Sequence, residues 1–182
     1  MRVAAAVFLA LFLSACVPAL GNFTPASKSP ALALPSSSLI SIGGKTSSLE
    51  NLLLLDETIL VLAPSPEAIP EALSWDAAFF SAAKQTPATP HYALLVLPED
   101  MRAYDSLLRE EYTSQFNNKP GFNDVYIAYT DVEEFLSGLD SSSGKEAILL
   151  RLNNKKQILS RTSGTYTSDK EADLLGKKRR TP

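Results

Sequence analysis

Hydrophobic positions along the chain fall into blocks of different period. Val3 to Leu13 is an unbroken apolar run of eleven residues behind Met1-Arg2. Residues 17–38 are rich in Pro, Ala and Ser, and Pro18, Pro25, Pro30 and Pro35 are spaced so as to exclude helix and favour extended, solvated chain. From about residue 39 the pattern becomes that of a packed domain. Ile59 to Ala63 reads as a short buried strand, broken by Pro64-Ser65-Pro66. Glu67 to Lys84 then reads as a helix with Ile69, Leu73, Ala77 and Phe80 on one stripe, widened by Ala72, Phe79 and Ala83. Pro70 falls in its first turn, where a missing N–H costs least, and Glu67 complements the helix dipole.

The same alternation recurs twice. Tyr92 to Leu97 is a second apolar strand, and Pro98-Glu99-Asp100 opens a helix carrying Met101, Tyr104, Leu108, Tyr112 and Phe116 on one face. Asn117 to Gly121 breaks the chain. Val125 to Tyr129 is a third strand. Thr130 and Glu133 form a capping box for a helix with Val132, Phe135, Leu136 and Leu139 at helical spacing. Glu146 to Leu152 and Gln157 to Thr162, around Asn153-Asn154-Lys155-Lys156, read as a hairpin, and a last short helix covers Ser168 to Gly176. Three strand–helix pairs, a hairpin and a helix predict an α/β domain with a central sheet covered on both faces.

Composition narrows the function classes. The net charge is −3, and loss of Arg2 with a leader would make it one unit more negative. That is no footprint for nucleic acid, which needs a clustered basic surface. A single cysteine forms no internal disulfide, and one histidine without a cysteine pair speaks against a zinc site of the usual kind. No cofactor or metal is expected.

The apolar run is too short to span a bilayer, which takes about 20 residues, but it suits the core of a signal peptide. It ends in Leu13-Ser14-Ala15-Cys16. This resembles the lipobox of bacterial lipoproteins at all four positions. The resemblance implies diacylglyceryl transfer to Cys16, cleavage between Ala15 and Cys16, and acylation of the new terminus. Two or three acyl chains, at about 0.8 kcal/mol per buried methylene, anchor a protein stably where one does not. The implied organisation is a signal peptide (1–15), a lipidated cysteine and tether (16–38), a folded domain (39–177) and a basic tail (178–182). The implied location is the cell envelope, anchored to a membrane on its extracytoplasmic side. Val17, where aspartate would favour retention in the inner membrane of enteric bacteria, leaves the outer membrane or cell surface open.

The order of elements over residues 39–177 resembles the thioredoxin superfamily, a three-layer sandwich with a central mixed sheet. Gly43-Gly44-Lys45-Thr46-Ser47-Ser48-Leu49, followed by Ile59 to Pro66, is similar to the opening of peroxiredoxin-type domains, in which a glycine turn and a serine-leucine helix start precede the first core strand. The departures matter more. Thioredoxins carry Cys-x-x-Cys at the end of that strand, where a helix N-terminus lowers a thiol's pKa. Here the corresponding loop, Ala63-Pro64-Ser65-Pro66-Glu67, has no cysteine. The superfamily also places a cis proline just before the hairpin, and Gly144-Lys145-Glu146-Ala147 has none. No catalytic residue carries over, so the resemblance implies a redox-inactive version.

Ser65 and Glu67 sit where a strand hands over to a helix, the place at which open α/β sheets bind ligands, and form the candidate ligand loop. Against this stands a plain connecting loop. His91, the sole histidine, could act as a general base, but a surface or strand-opening histidine fits its place between Pro90 and a strand better. Ser81-x-x-Lys84 lacks the partner motifs of penicillin-recognising enzymes. Gly44-Lys45-Thr46 lacks the earlier glycine of a phosphate loop, since position 39 is leucine. Glu110-Glu111 and Glu133-Glu134 are adjacent helix residues that do not face each other. The basic run Lys177 to Arg180 is a candidate contact for anionic lipid. The leading expectation is a binding or scaffolding module at the membrane surface with an envelope protein partner. The alternative is a non-thiol, hydrolase-like enzyme centred on the Ser65 loop or on His91. An enzyme needs polar groups converging in a pocket, and a binding module needs an accessible apolar surface.

Overall fold

The computed structural model describes residues 39–83, 89–139, 141 and 144–176. The leader, Ala15, Cys16, the proline-rich stretch, Lys84 and the tail from 177 lie outside the described residues. The described strands are β1 (Leu39–Ser41), β2 (Thr46–Ser47), β3 (Glu57–Ala63), β4 (His91–Pro98), β5 (Asp124–Thr130), β6 (Ile148–Asn153) and β7 (Ile158–Ser163). They form one mixed sheet in the order β2-β1-β5-β4-β3-β6-β7. β3, β4 and β5 run parallel, while β6 pairs antiparallel with β3 and β1 antiparallel with β5.

The unbroken apolar runs resolve into alternation once both faces are seen. Ile59, Val61 and Ala63 point to one layer with Ala93, Leu95, Leu97 and Ile127, and Leu60 and Leu62 to the other with Leu94, Val96, Ala128 and Leu150. The first layer is closed by α2 (Ile69–Ser74), α3 (Asp76–Ala83), α4 (Asp105–Phe116) and α6 (Ser168–Leu174). The second is closed by α1 (Leu49–Leu52) and α5 (Val132–Gly138). This is the expected three-layer α/β sandwich. Leu60, Leu62, Leu94 and Leu150 are wholly buried, and each such side chain contributes about 1.5–3 kcal/mol.

Several local expectations change. The helix expected over 67–84 is a 3-10 turn (Pro66–Ala68) followed by α2 and α3, divided at Trp75. The buried stripe is Ile69, Ala72, Trp75 and Phe79, while Ala77 and Phe80 are exposed. The reason is size. Trp75 is fully buried, its Nε1 donates to the Gly164 carbonyl at 3.0 Å, and its ring meets Tyr166 edge-on at 5.1 Å. Seating that ring re-phases the helix that follows. The helix expected from Pro98 starts as a 3-10 segment (Glu99–Tyr104) before α4, and Tyr104 is 59% exposed and no part of the core. The cap of α5 is Asp131, which accepts from the Glu134 amide, in place of Thr130. Asp131 is the stronger cap because its carboxylate sits at the positive helix end. β1 and β2 were not legible as strands, being three and two residues long. Ser48 does cap α1, and Thr167 caps α6.

Candidate functional site

The carboxyl ends of β3, β4 and β5 open into a cleft of about 690 Å³. Its wall is built from three junctions: Pro64-Ser65-Pro66 after β3, Leu97 to Met101 after β4, and Thr130 to Glu133 after β5. Parallel strands force this arrangement, because each must leave the sheet at the same end and the connections diverge. The floor is apolar, from Pro64, Leu97, Pro98, Met101 and Val132. The rim is acidic, from Glu99, Asp100, Asp131 and Glu133, with Glu67 one residue beyond the lining.

Ser65 is half-buried, and its Oγ is shielded from solvent with no partner at hydrogen-bond geometry. A looser contact of that hydroxyl is the first cause holding the exposed Glu67 carboxyl below its ordinary range, ahead of a backbone amide and against desolvation. On the opposite wall Arg102 is paired with Glu99 at 2.5 Å and lies 4.9 Å above the Tyr129 ring. Burial, then the Asp105 carboxylate, pushes the Tyr129 hydroxyl up, so it stays protonated and donates to Asp105 Oδ1 at 2.9 Å. Asp105 in turn accepts from Arg109 at 2.8 Å. These pairs brace the wall behind the rim. The cleft lining holds carboxylates and a serine but no histidine or cysteine. Its arrangement suits recognition of an apolar segment carrying a cation.

His91 lies elsewhere. It opens β4 opposite Ile59 of β3, whereas Ser65 follows the far end of β3. Six residues of strand separate the two levels, about 20 Å. His91 is 4% exposed and therefore no surface residue. Its ring stacks on Phe79 at 4.1 Å and 11°, and its amide donates to Asn123 Oδ1 at 2.7 Å. Burial lowers its pKa to about 4, which keeps it neutral. A site combining Ser65 and His91 is excluded by distance. Ser81 is exposed and spends its hydroxyl on the Ala77 carbonyl at 2.8 Å, and Glu110, Glu111, Glu133 and Glu134 are exposed as expected. Among the described residues no group of acidic, histidine or cysteine side chains is placed to hold a metal.

The hairpin's opening shows what replaces a proline there. Ala147 keeps its N–H and donates it to Glu71 Oε2 of α2 at 2.9 Å. A proline has no such donor. Beside it a shallow polar trough runs along Thr162 to Thr167, with Lys170 turned inward to the Thr165 carbonyl at 3.1 Å. Ser163 Oγ donates to Glu146 there at 3.3 Å, and Tyr166 Oη donates to Glu171 at 2.9 Å.

Of the sequence-predicted site residues, Ser65 lines the cleft, Glu67 stands just outside it, and Ala15 and Cys16 lie outside the described residues. The Leu97–Met101 and Thr130–Glu133 contributions were missed. The signal for them was present, since each follows an apolar strand run as Ser65 does, but only the parallel register brings three such junctions together.

No protein-family model matches this sequence, and no curated protein matches it. Solved structures do. BsSco, a member of the Sco family of cytochrome c oxidase assembly proteins, is 15% identical with a TM-score of 0.57, covering 82% of this chain and 92% of its own. A thiol:disulfide interchange protein from Chlorobium tepidum is 13% identical with a TM-score of 0.53, covering 83% and 96%. A thio-disulfide isomerase from Thermus thermophilus is 17% identical with a TM-score of 0.50, covering 80% and 94%. At such identities the likeness concerns the fold, and with the sheet order and the two covered faces it establishes that this domain is thioredoxin-like.

Proposed function

We propose that this chain is a lipid-anchored cell-envelope protein whose redox-inactive thioredoxin-like domain binds or scaffolds a protein partner at the membrane surface. The observation that carries this reading is the loop after β3. In a fold whose thiol chemistry belongs at the end of a central strand, this chain has Pro64-Ser65-Pro66, and its sole cysteine is Cys16, in the Leu13-Ser14-Ala15-Cys16 motif. A serine hydroxyl does not replace a thiolate in disulfide exchange, because only the thiolate attacks sulfur at useful rates. With its apolar floor and acidic rim, the cleft suits an extended apolar segment bearing Lys or Arg, which makes it the favoured contact for the partner.

The test is mass spectrometry of the intact protein and its N-terminal peptide from native membranes, beside a Cys16→Ser form. Acylated Cys16 as first residue, lost in the variant, is the expected result; an unmodified Cys16 or a retained Met1 overturns the anchor. In parallel, a disulfide-reduction assay on the purified chain is expected to stay at background, and turnover there would overturn the redox-inactive reading.

A further inference from the structure

We propose that the outer face of α4, with the 3-10 segment leading into it, is a docking surface for a partner protein that presents a basic amphipathic helix. This rests on the reading of the domain as a binding module and adds to the cleft a second contact of different chemistry.

One side of α4 serves the core. Leu108, Tyr112 and Phe116 recur about once per turn and pack into the first layer. The opposite side carries Tyr104, 59% exposed, and Leu107, 64% exposed. Helical spacing sets these two beside each other and sets Leu107 beside Glu110 and Glu111, both exposed. A single exposed apolar residue is ordinary, but two in a row on one helix face offer a surface that another helix can cover.

Charge selects the partner. The two cations of these elements are spent, Arg102 on Glu99 and Arg109 on Asp105. No ion pair among the described residues takes Asp100, Glu110 or Glu111, and Glu111 accepts only from the neutral Gln115 amide of its own helix, at 2.8 Å. The apolar row therefore lies between Asp100 and the Glu110-Glu111 pair, a net negative frame. Its complement is a helix with an apolar row flanked by Lys or Arg. The same carboxylates repel nucleic acid and anionic lipid, which leaves a protein. The other adjacent pair of exposed apolar residues, Leu54 and Leu55, has no such frame. There Lys156 balances Glu50, Arg151 balances Glu57, and exposed Asp56 offsets exposed Lys155. The α4 face is also continuous with the cleft. Asp100 lines the cleft rim, and along the 3-10 segment it stands about 8 Å from Tyr104. A partner whose extended segment enters the cleft and continues as a helix along α4 meets carboxylates throughout.

The test is an NMR titration of the full chain with a leucine–lysine helical peptide about four turns long, its leucine–glutamate counterpart, and a lysine–serine peptide that keeps the charge alone. The leucine–lysine helix is expected to shift the signals of residues 103–111, less so at high salt, and the other two peptides to leave them in place. Tyr104→Ala/Leu107→Ala should weaken that binding about tenfold or more, with the unfolding curve little changed because both side chains are exposed. Leu54→Ser/Leu55→Ser should leave the binding intact. Equal binding of the leucine–glutamate or lysine–serine peptide, or an equal loss in Leu54→Ser/Leu55→Ser, overturns the proposal. So do signals at 103–111 that move with protein concentration alone, which would place a second copy on the face. A Leu-Lys peptide bracketed by prolines, too short for a helix, is titrated separately against the cleft loops at 97–101 and 130–133. Shifts there with none at 103–111 overturn the α4 face and keep the binding module, whereas silence at both places overturns both.

Discussion

Where β3, β4 and β5 begin, His91 is stacked between strand and helix, Asn123 clamps its amide, and Gly121 donates to Asp76 Oδ1 at 2.7 Å. Where the same strands finish, Ser65 Oγ has no hydrogen-bond partner, the connections part, and carboxylates stand around an apolar floor. Both ends hold polar residues, but one consumes them in packing and the other leaves them for something outside. The histidine, chemically the better catalyst, is at the consumed end. Residue type alone is therefore a poor guide to a site in this fold, and position along the parallel strands is a better one.

The most forceful way to break this contrast is Phe79→Ala. Phe79 is 3% exposed and contacts Trp75, His91 and Phe122. Its truncation is expected to cost about 3–5 kcal/mol in denaturant unfolding and to bring the His91 pKa back toward 6.5 as water reaches the ring. A loss below about 1 kcal/mol would show that the closed end is not closed.

Acid is the next probe. The His91 pKa is 6.5 unfolded and about 4 folded, so the unfolded chain takes up the proton first. The stability contributed by the neutral ring is complete above pH 6.5 and falls as the pH drops toward 4, by up to about 3 kcal/mol. The lowered carboxyls Glu50, Glu67 and Glu99 start from 4.5, so the decline between pH 6.5 and 4.5 belongs to His91. Unfolding measured across that window should flatten in His91→Gln, and an unchanged slope there would refute the assignment.

The smallest effect is expected at the open end. Ser65→Ala removes a hydroxyl that has no hydrogen-bond partner, so stability should move by no more than about 1 kcal/mol. NMR titration should show the Glu67 pKa rising, since the Ser65 hydroxyl is the first cause of its lowering. A large loss of stability would mean that Ser65 belongs to the packing and not to the cleft.

Much of the architecture was legible because it depends on short-range patterning. The apolar runs at 59–63, 92–97 and 125–129 all became strands, extended by one or two residues at their ends. The hairpin and the last helix also stand where the turn residues placed them. The phase of α3 was not legible, because the burial of Trp75 depends on Gly164 and Tyr166, about ninety residues away. Nor were β1 and β2, which are too short to carry a period; β5 offers β1 an edge, and β1 in turn offers one to β2.

For the site the division is sharper. The sequence by itself determined that no thiol stands at the end of β3, that Cys16 is alone, and that four basic residues follow Gly176. These are matters of composition, which folding does not alter. Only the tertiary structure decided that His91 is buried 20 Å or so from Ser65, that three junctions share one cleft, and that Leu54 and Leu55 are left outside the core. The physical reason is that exposure and convergence are set by which strands pair and in which direction, and pairing is a property of residues far apart in the chain.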